Sequence, residues 1–237
     1  MQLNTIYNAD TILDLKTYIP PNSIDLIITD PPYGIDFKKK KANYNRNDEF
    51  VIDGYQDVPS EVYEEFTRIW VNDAYDVLKP NGSMYVFSGW NNLVYVLQAL
   101  KDARFTTVNH LIWKYPFGVY TTRKYVTSHY HCLLVTKHPK KYTFNNIEPY
   151  QEDVVTINRE YRRGKKKIPT QLPTKLIEKL MLNSSNEGDI VLDQFLGSGT
   201  TAVVAQQLQR NYIGMEIVEE YCMFARERLD VGKEDAV

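Results

Sequence analysis

The chain has 237 residues and a formal net charge of −2, with 43% hydrophobic and 24% charged residues. This balance is typical of a globular protein and excludes a wholly disordered chain. A nearly neutral chain is not expected to coat nucleic acid, but it can still carry a local basic face. No apolar run approaches the roughly 18 residues that cross a membrane.

Cysteine content and the N-terminus bear on the cellular compartment. The two cysteines, Cys132 and Cys222, are too few for a disulfide framework or a zinc-ligand cluster. The first residues lack the basic and apolar segments of a secretory signal. The sequence therefore predicts a cytoplasmic protein without a bound metal.

Short apolar strands and amphipathic helices alternate along the chain. Strands are predicted near residues 3–7, 24–29, 83–87, 106–113, 131–136, 190–193 and 212–215. Helices are predicted over 11–18, 62–77, 92–103, 173–183, 200–209 and 218–229. This alternation predicts an α/β fold in which helices cover both faces of a mostly parallel sheet.

A strand, a glycine turn and a helix follow one another at residues 191–200. Gly197 and Gly199 allow the backbone to approach a ligand closely, and the helix N-terminus offers free N–H groups. Glu216, nineteen residues after Gly197, ends the next predicted strand, where a carboxylate can accept both ribose hydroxyls. With Ala202 the segment also fits the dinucleotide fingerprint, so an NAD site and a plain tight turn remain alternatives.

A second motif, Asp30-Pro31-Pro32-Tyr33, directly follows the predicted strand 24–29. The two prolines stiffen the backbone and lack N–H groups, so nearby carbonyls are left free to accept hydrogen bonds. An amino group on a planar ring can donate to Asp30 and a proline carbonyl while the ring stacks on Tyr33. A rigid loop without chemistry is the alternative.

Together these motifs resemble those of the amino-group DNA methyltransferases, which methylate adenine or cytosine amines with S-adenosylmethionine. The matching stretches are residues 29–34, 78–82, 172–176 and 193–200. The Asp-Pro-Pro-Tyr motif precedes the glycine turn, as in the circularly permuted beta class. The resemblance implies a doubly wound, mostly parallel, seven-stranded sheet whose first strand joins its last one.

The resemblance also implies one methyltransferase domain over residues 1–237. The segments 34–57 and 145–170 interrupt the alternation of strands and helices, and we expect them to be insertions for DNA recognition. The basic residues expected to contact DNA are Lys38, Lys39, Lys40, Lys41, Arg46, Arg159, Arg162, Arg163, Lys165, Lys166 and Lys167. A solvated charge run is the alternative meaning of such clusters.

A pocket for S-adenosylmethionine follows from the same resemblance. It places Asp10 near the adenine, Glu216 at the ribose, and Thr174 with Lys175 near the methionine carboxylate. The other implied pocket residues are Thr29, Asp30, Asp193, Phe195, Gly197, Ser198, Gly199 and Thr200. Alternatively, Asp10 is a helix N-cap, Thr174 a first-turn residue and Lys175 a solvated side chain.

The predicted reaction is direct methyl transfer to a base flipped out of double-stranded DNA, with Asp30, Pro31, Pro32 and Tyr33 as catalytic residues. Asp30 favours adenine N6, because cytosine-specific members of the family usually carry serine there. Neither cysteine follows a proline, which disfavours ring-carbon methylation through a thiolate. Cytosine N4, an RNA base, an NAD-dependent enzyme and an inert DNA-binding module remain alternatives. A homodimer and a cognate restriction endonuclease are further expected partners.

Overall fold

A computed structural model describes residues 1–35, 57–116, 118, 120–160 and 171–234. Its strands are β1 (Thr5–Asn8), β2 (Ile24–Thr29), β3 (Leu78–Ser88), β4 (Thr106–Lys114), β5 (His129–Thr136), β6 (Val154–Thr156), β7 (Ile190–Asp193) and β8 (Asn211–Glu216). Its helices are α1 (Thr11–Tyr18), α2 (Tyr63–Val77), α3 (Leu93–Asp102), α4 (Thr174–Ser184), α5 (Thr200–Gln207) and α6 (Glu219–Glu234). Every predicted helix and strand is present.

The eight described strands form one sheet in the order β1-β8-β7-β2-β3-β5-β4-β6. Neighbours pair in parallel except for β3 with β5 and β4 with β5, which are antiparallel. The α/β class and the mostly parallel sheet are thus confirmed. Within the described residues, no helix has both the length and the apolar character needed to cross a bilayer.

Two details differ from the sequence prediction. The sheet has eight strands rather than seven, because β6 forms inside the segment 145–170 and pairs with β4 at the sheet edge. Three residues are too few for a recognisable apolar pattern, so only the neighbouring strand reveals β6. Strand β3 begins at Leu78 rather than near residue 83, since Leu78 pairs with Ile24 across an irregularity in the ladder.

The two ends of the chain meet in the sheet. Strands β1 and β8 are parallel neighbours, with Thr5 opposite Ile213 and Asn8 opposite Glu216. From α6, Arg226 donates a hydrogen bond of 2.9 Å to the Ile6 carbonyl oxygen, which fastens this helix over the seam. The expected joining of the first and last strands is confirmed.

Two apolar cores lie on opposite faces of the sheet. In β2, Leu26 and Ile28 belong to one core while Ile27 belongs to the other, and all three are fully buried. A strand that is covered on both faces needs apolar residues at consecutive positions, which explains the run Leu26–Ile28 in its sequence. Burying each such side chain contributes roughly 1.5–3 kcal/mol.

The order of the strands creates a cleft between β2 and β7. Strand β2 connects through α2 to β3 on one side, whereas β7 connects through α5 to β8 on the other. In open parallel sheets, ligands bind outside the carboxyl ends of two neighbouring strands whose connections lead to opposite sides of the sheet. Both sequence motifs follow these two strand ends.

Candidate active site

The Asp30–Tyr33 turn lies at the carboxyl end of β2. The Tyr33 hydroxyl donates a hydrogen bond of 2.5 Å to Asp30 Oδ1. Within the described residues, the Pro31 carbonyl oxygen accepts no hydrogen bond. The turn therefore offers a carboxylate and a free carbonyl next to an aromatic ring, the set of groups that the sequence predicted there.

Two side chains outside the motif hold this turn in place. Asn92 Nδ2 donates to the Tyr33 carbonyl oxygen at 2.7 Å. The Asp57 carboxylate accepts from the backbone N–H groups of Gly34, at 2.9 Å, and Ile35, at 2.8 Å. Gly34 has a φ of +62°, and an added Cβ would collide with the Tyr63 ring. The turn is thus positioned before any ligand binds.

Neither of these two supporting side chains, Asn92 and Asp57, was identified from the sequence. Asn92 stands at the N-cap of α3, but its side chain makes no capping hydrogen bond because the amide reaches the turn instead. A local pattern would assign such an asparagine to helix capping. Asp57 comes at the end of the segment 34–57 and carries no motif of its own.

The pKa of Asp30 is shifted toward neutral pH. Burial raises the pKa of this carboxyl group to about 7, and the Asp193 charge adds to the rise. The Tyr33 hydrogen bond and the positive charge of Arg159 act in the opposite direction. Asp30 is therefore an ionised acceptor mainly above pH 7, and a pKa near the working pH suits a group that accepts a proton.

The glycine turn follows β7, the strand next to β2. Gly199 caps α5 with a φ of +78°, and a Cβ there would lie 2.6 Å from Ala225 Cβ. Gly197 has a φ of +51°, yet the atom nearest to its missing Cβ is the Phe195 carbonyl oxygen at 3.9 Å. Gly199 is therefore required for packing against α6, whereas Gly197 faces open space where a ligand can approach the backbone.

Asp193 joins the ends of β2 and β7. Its carboxylate accepts hydrogen bonds from Thr29 Oγ1 at 3.3 Å, Thr201 Oγ1 at 2.7 Å and the Phe195 N–H at 3.1 Å. Burial raises the pKa of Asp193 to about 6, although these donors favour its ionised form. The side chains of Thr29 and Asp193 thus stabilise the turn from within.

Glu216 and Asp10 lie at the ends of the paired strands β8 and β1. Glu216 accepts from the N–H groups of Gly197 and Val218, both at 2.8 Å, and burial raises the pKa of Glu216. A carboxylate has about four acceptor positions, so Glu216 retains capacity for hydroxyl donors. Asp10 caps α1 by accepting from the Ile12 N–H at 2.8 Å. The capping role of Asp10 is present, and a ligand role is compatible with it.

At the start of α4, the predicted residues Thr174 and Lys175 have different surroundings. Thr174 donates through its N–H and Oγ1 to the carboxylate of Glu160, at 2.7 and 3.1 Å. Lys175 is exposed. The helix N-terminus and a hydroxyl thus already hold one carboxylate, which shows that this position accepts such a group.

Three other predicted pocket residues direct their side chains into the protein. Arg228 Nη1 bonds the hydroxyls of Ser198 and Thr200, at 3.2 and 3.1 Å, and these hydroxyls bond each other. The Phe195 ring packs against Phe66, with centroids 5.8 Å apart, and against Trp70. Any contribution of these residues to a ligand site comes from their backbone or from the exposed part of the Phe195 ring.

Of the basic residues predicted to contact DNA, only Arg159 lies within the described part of the chain. It is half-buried, and its guanidinium carbon is 4.3 Å from the centroid of the Tyr115 ring. The alternative of a solvated side chain therefore does not describe Arg159, whereas its predicted contact with DNA stays a prediction. The other predicted residues lie outside the described residues: Lys38, Lys39, Lys40, Lys41, Arg46, Arg162, Arg163, Lys165, Lys166 and Lys167.

The fold and the site define a class of enzyme. The sheet places a glycine turn with an acidic partner next to a rigid turn whose acceptors suit an amino group on a planar ring. This arrangement is suited to bringing a nucleoside cofactor to a base. Comparisons with known proteins also indicate an enzyme that brings a nucleoside cofactor to a base.

A family model described as DNA methylase matches residues 24–227. The chain is 40% identical to the type II methyltransferase M.HpaI of Haemophilus parainfluenzae, covering 94% of this chain and 73% of the relative. It is 33% identical to M.HinfI of Haemophilus influenzae, covering 96% of this chain and 68% of the relative. The crystal structure of the M1.HpyAVI–SAM complex superposes with a TM-score of 0.71 at 29% identity, covering 95% of this chain and 98% of that one.

The chain belongs to the DNA methylase family. It is an enzyme that transfers methyl groups from S-adenosylmethionine to amino groups in DNA, so the predicted activity, cofactor and DNA substrate are confirmed. The alternatives of an NAD-dependent enzyme and an inert DNA-binding module are thereby set aside.

Proposed function

We propose that this enzyme methylates N6 of an adenine flipped out of double-stranded DNA at a specific sequence. The observation that carries the proposal is the pair of acceptors in the Asp30–Tyr33 turn, the Asp30 carboxylate and the free Pro31 carbonyl. This pair fits the two N–H bonds of an exocyclic amine. The aspartate, where cytosine-specific members usually carry serine, favours adenine.

The residues around the cleft fit S-adenosylmethionine. Gly197 faces open space, Glu216 keeps acceptor capacity, and the start of α4 holds a carboxylate. We assign Glu216 to the ribose, Asp10 to the neighbourhood of the adenine, and Thr174 with Lys175 to the methionine carboxylate. When bound, the cofactor supplies an electrophilic methyl group on its sulfonium sulfur.

The role of the turn is to make a poor nucleophile reactive. The lone pair of an exocyclic amine is delocalised into the ring. Hydrogen bonds from the amine to Asp30 and to the Pro31 carbonyl favour a pyramidal nitrogen whose lone pair points away from the ring. Tyr33 provides the face on which the flipped base stacks, and the Asp30 carboxylate, as an acceptor of the amine hydrogen bond, can take the proton released by the methylated amine.

Nucleoside analysis tests the proposal directly. Plasmid DNA is incubated with the enzyme and tritium-labelled S-adenosylmethionine, digested to nucleosides and separated by chromatography. We expect the label in N6-methyl-2′-deoxyadenosine. Label in N4-methyl-2′-deoxycytidine would instead support the cytosine alternative and contradict the assignment to adenine.

Four further assignments extend the proposal. Segments 34–57 and 145–170 recognise the DNA, as parts of one domain over residues 1–237. The type II names of the relatives support pairing with a restriction endonuclease. A homodimer enlarges the DNA surface, which sedimentation with and without DNA tests, and the enzyme works in the cytoplasm, where its DNA substrate is found.

A further inference from the structure

Arg159 lies in a cluster of aromatic side chains rather than on the open surface. It follows β6, and its guanidinium carbon is 4.3 Å from the ring centroid of Tyr115, 5.4 Å from that of Tyr130 and 5.8 Å from that of Trp113. Contacts of this kind between arginine and aromatic faces are favourable, more so when water is excluded. The side chain is therefore held in place by packing.

The same rings extend to the catalytic turn. Trp113 and Tyr130 are stacked with their centroids 5.7 Å apart, and Tyr130 is 5.7 Å from Tyr33. Trp113 Nε1 donates a hydrogen bond of 2.9 Å to the Ile157 carbonyl oxygen, which ties the segment before Arg159 to the end of β4. Tyr130 therefore contacts both Arg159 and the Tyr33 ring.

Arg159 also acts on the charge of Asp30. The titratable groups that interact electrostatically with Asp30 come from its own turn, from α2, β5 and β7, and from the segment after β6. Within the part of the chain that the structure describes, they are Tyr33, Tyr63, Tyr130, Cys132, Asp193 and Arg159. Of these groups only Arg159 is positively charged, and its charge lowers the pKa of Asp30 against the effect of burial.

We propose that Arg159 is a positioning residue of the target-base pocket: it braces the aromatic side chains behind Tyr33 and adds a positive charge to the surroundings of Asp30. The inference rests on the proposed function, because it requires a base that stacks on Tyr33 and donates to Asp30. It differs from a phosphate contact, which would act on DNA affinity and its salt dependence.

The test compares Arg159→Met and Arg159→Lys with Arg123→Met, which removes an exposed arginine from the connection between β4 and β5. Single-turnover rates of tritium transfer into plasmid DNA are measured from pH 6 to 9, together with DNA affinity at several salt concentrations. Single turnovers isolate methyl transfer from product release.

For Arg159→Met we expect a rate at least tenfold lower than wild type, with DNA affinity and its salt dependence unchanged. The acid limb of the rate profile should move upward by on the order of half a pH unit, because Asp30 loses its positive neighbour. Arg159→Lys should restore the position of the acid limb but not the full rate, since lysine keeps the charge and loses the flat contact with the rings. Arg123→Met should leave the rate and its profile unchanged.

Several results would overturn the inference. Arg159→Met with the wild-type rate profile, but with weaker DNA binding and a salt slope reduced by about 0.9, would identify a phosphate contact. If Arg159→Met does not fold, Arg159→Lys decides alone, and a wild-type rate in that variant contradicts the brace. Failure of the wild-type enzyme to methylate adenine would instead refute the proposed function, so the two failures are distinguishable.

Discussion

Asp30, which we propose as a catalytic residue, also lowers the free energy of unfolding when its buried carboxyl group ionises. Its pKa is about 7 in the folded protein and close to 3.9 in an unfolded chain. The folded state therefore binds more protons than the unfolded state between pH 4 and 7. It follows that the contribution of Asp30 to the free energy of unfolding falls as pH rises through this range.

Asp30→Asn removes this charge and is expected to separate stability from activity. At pH 8 the variant should be more stable than wild type by on the order of 1–3 kcal/mol, whereas at pH 5 the difference should be clearly smaller, and it should vanish only below about pH 4. Methyl transfer should be lost while cofactor binding is retained. Urea unfolding at both pH values measures the first effect, and Asp102→Asn, an exposed carboxylate at the end of α3, is the control.

Equal stability differences at pH 5 and 8 would contradict the assigned pKa. Unchanged turnover would remove Asp30 from its catalytic role.

Glu160 gives a second prediction at the scale of single residues. Its carboxylate occupies the start of α4 through Thr174, the position that we assign to the methionine carboxylate of the cofactor. Because two carboxylates cannot share these donors, Glu160→Ala should bind S-adenosylmethionine roughly threefold to tenfold more tightly. Calorimetric titration measures this affinity. If Glu160 only caps the helix, the variant will be less stable and its affinity will not change.

At the scale of elements, the turn between β7 and α5 separates two functions of glycine. Gly197→Ala places a methyl group in open space, so the folding cost should be limited to the positive φ, about 1–2 kcal/mol. Its affinity for S-adenosylmethionine should nevertheless fall by at least tenfold. Gly199→Ala collides with Ala225 of α6 and should destabilise the protein more.

Denaturant unfolding and calorimetric titration on the two variants check this contrast. Equal loss of stability in both, with equal affinity, would contradict the division of roles. Each variant serves as the control for the other, because both replace glycine with alanine at positions two residues apart.

Elements also differ in how well the sequence predicts them. The nearly continuous apolar run in Ile24–Thr29 predicts β2 because a strand buried on both faces favours apolar residues at successive positions. Strand β6 escapes prediction because three residues carry no pattern and its formation depends on the neighbouring β4. Leu78 likewise enters β3 ahead of the predicted strand near 83–87, through its pairing with Ile24.

At the scale of the whole molecule, we propose that DNA binds at the edge of the sheet where the carboxyl ends of the parallel strands lie. Neutralising Lys165, Lys166 and Lys167 to glutamine should weaken DNA binding and reduce the slope of log affinity against log salt by up to about 2.7. Cofactor affinity should not change. Binding to labelled DNA at a series of salt concentrations measures the effect.

Lys140 and Lys141 form a matched control on the opposite edge. They follow β5, whose last residue Thr136 pairs with Ser83 near the start of β3, far along the strands from the catalytic turn. Replacing both with glutamine should leave DNA affinity nearly unchanged. If the DNA affinity of the Lys165–Lys167 variant depends on salt as steeply as that of wild type, the proposed contact is contradicted.

The sequence by itself determined the fold class, the two motifs and the family. Strand patterns, glycines and the Asp30–Tyr33 turn are local features, and each is dictated by backbone geometry within a few residues. Only the tertiary structure decided which distant side chains support the site. Asn92 and Asp57 clamp the turn, and Arg159 lies among aromatic rings instead of facing solvent. These contacts join residues far apart in the chain, so they depend on how the sheet brings its strand ends together.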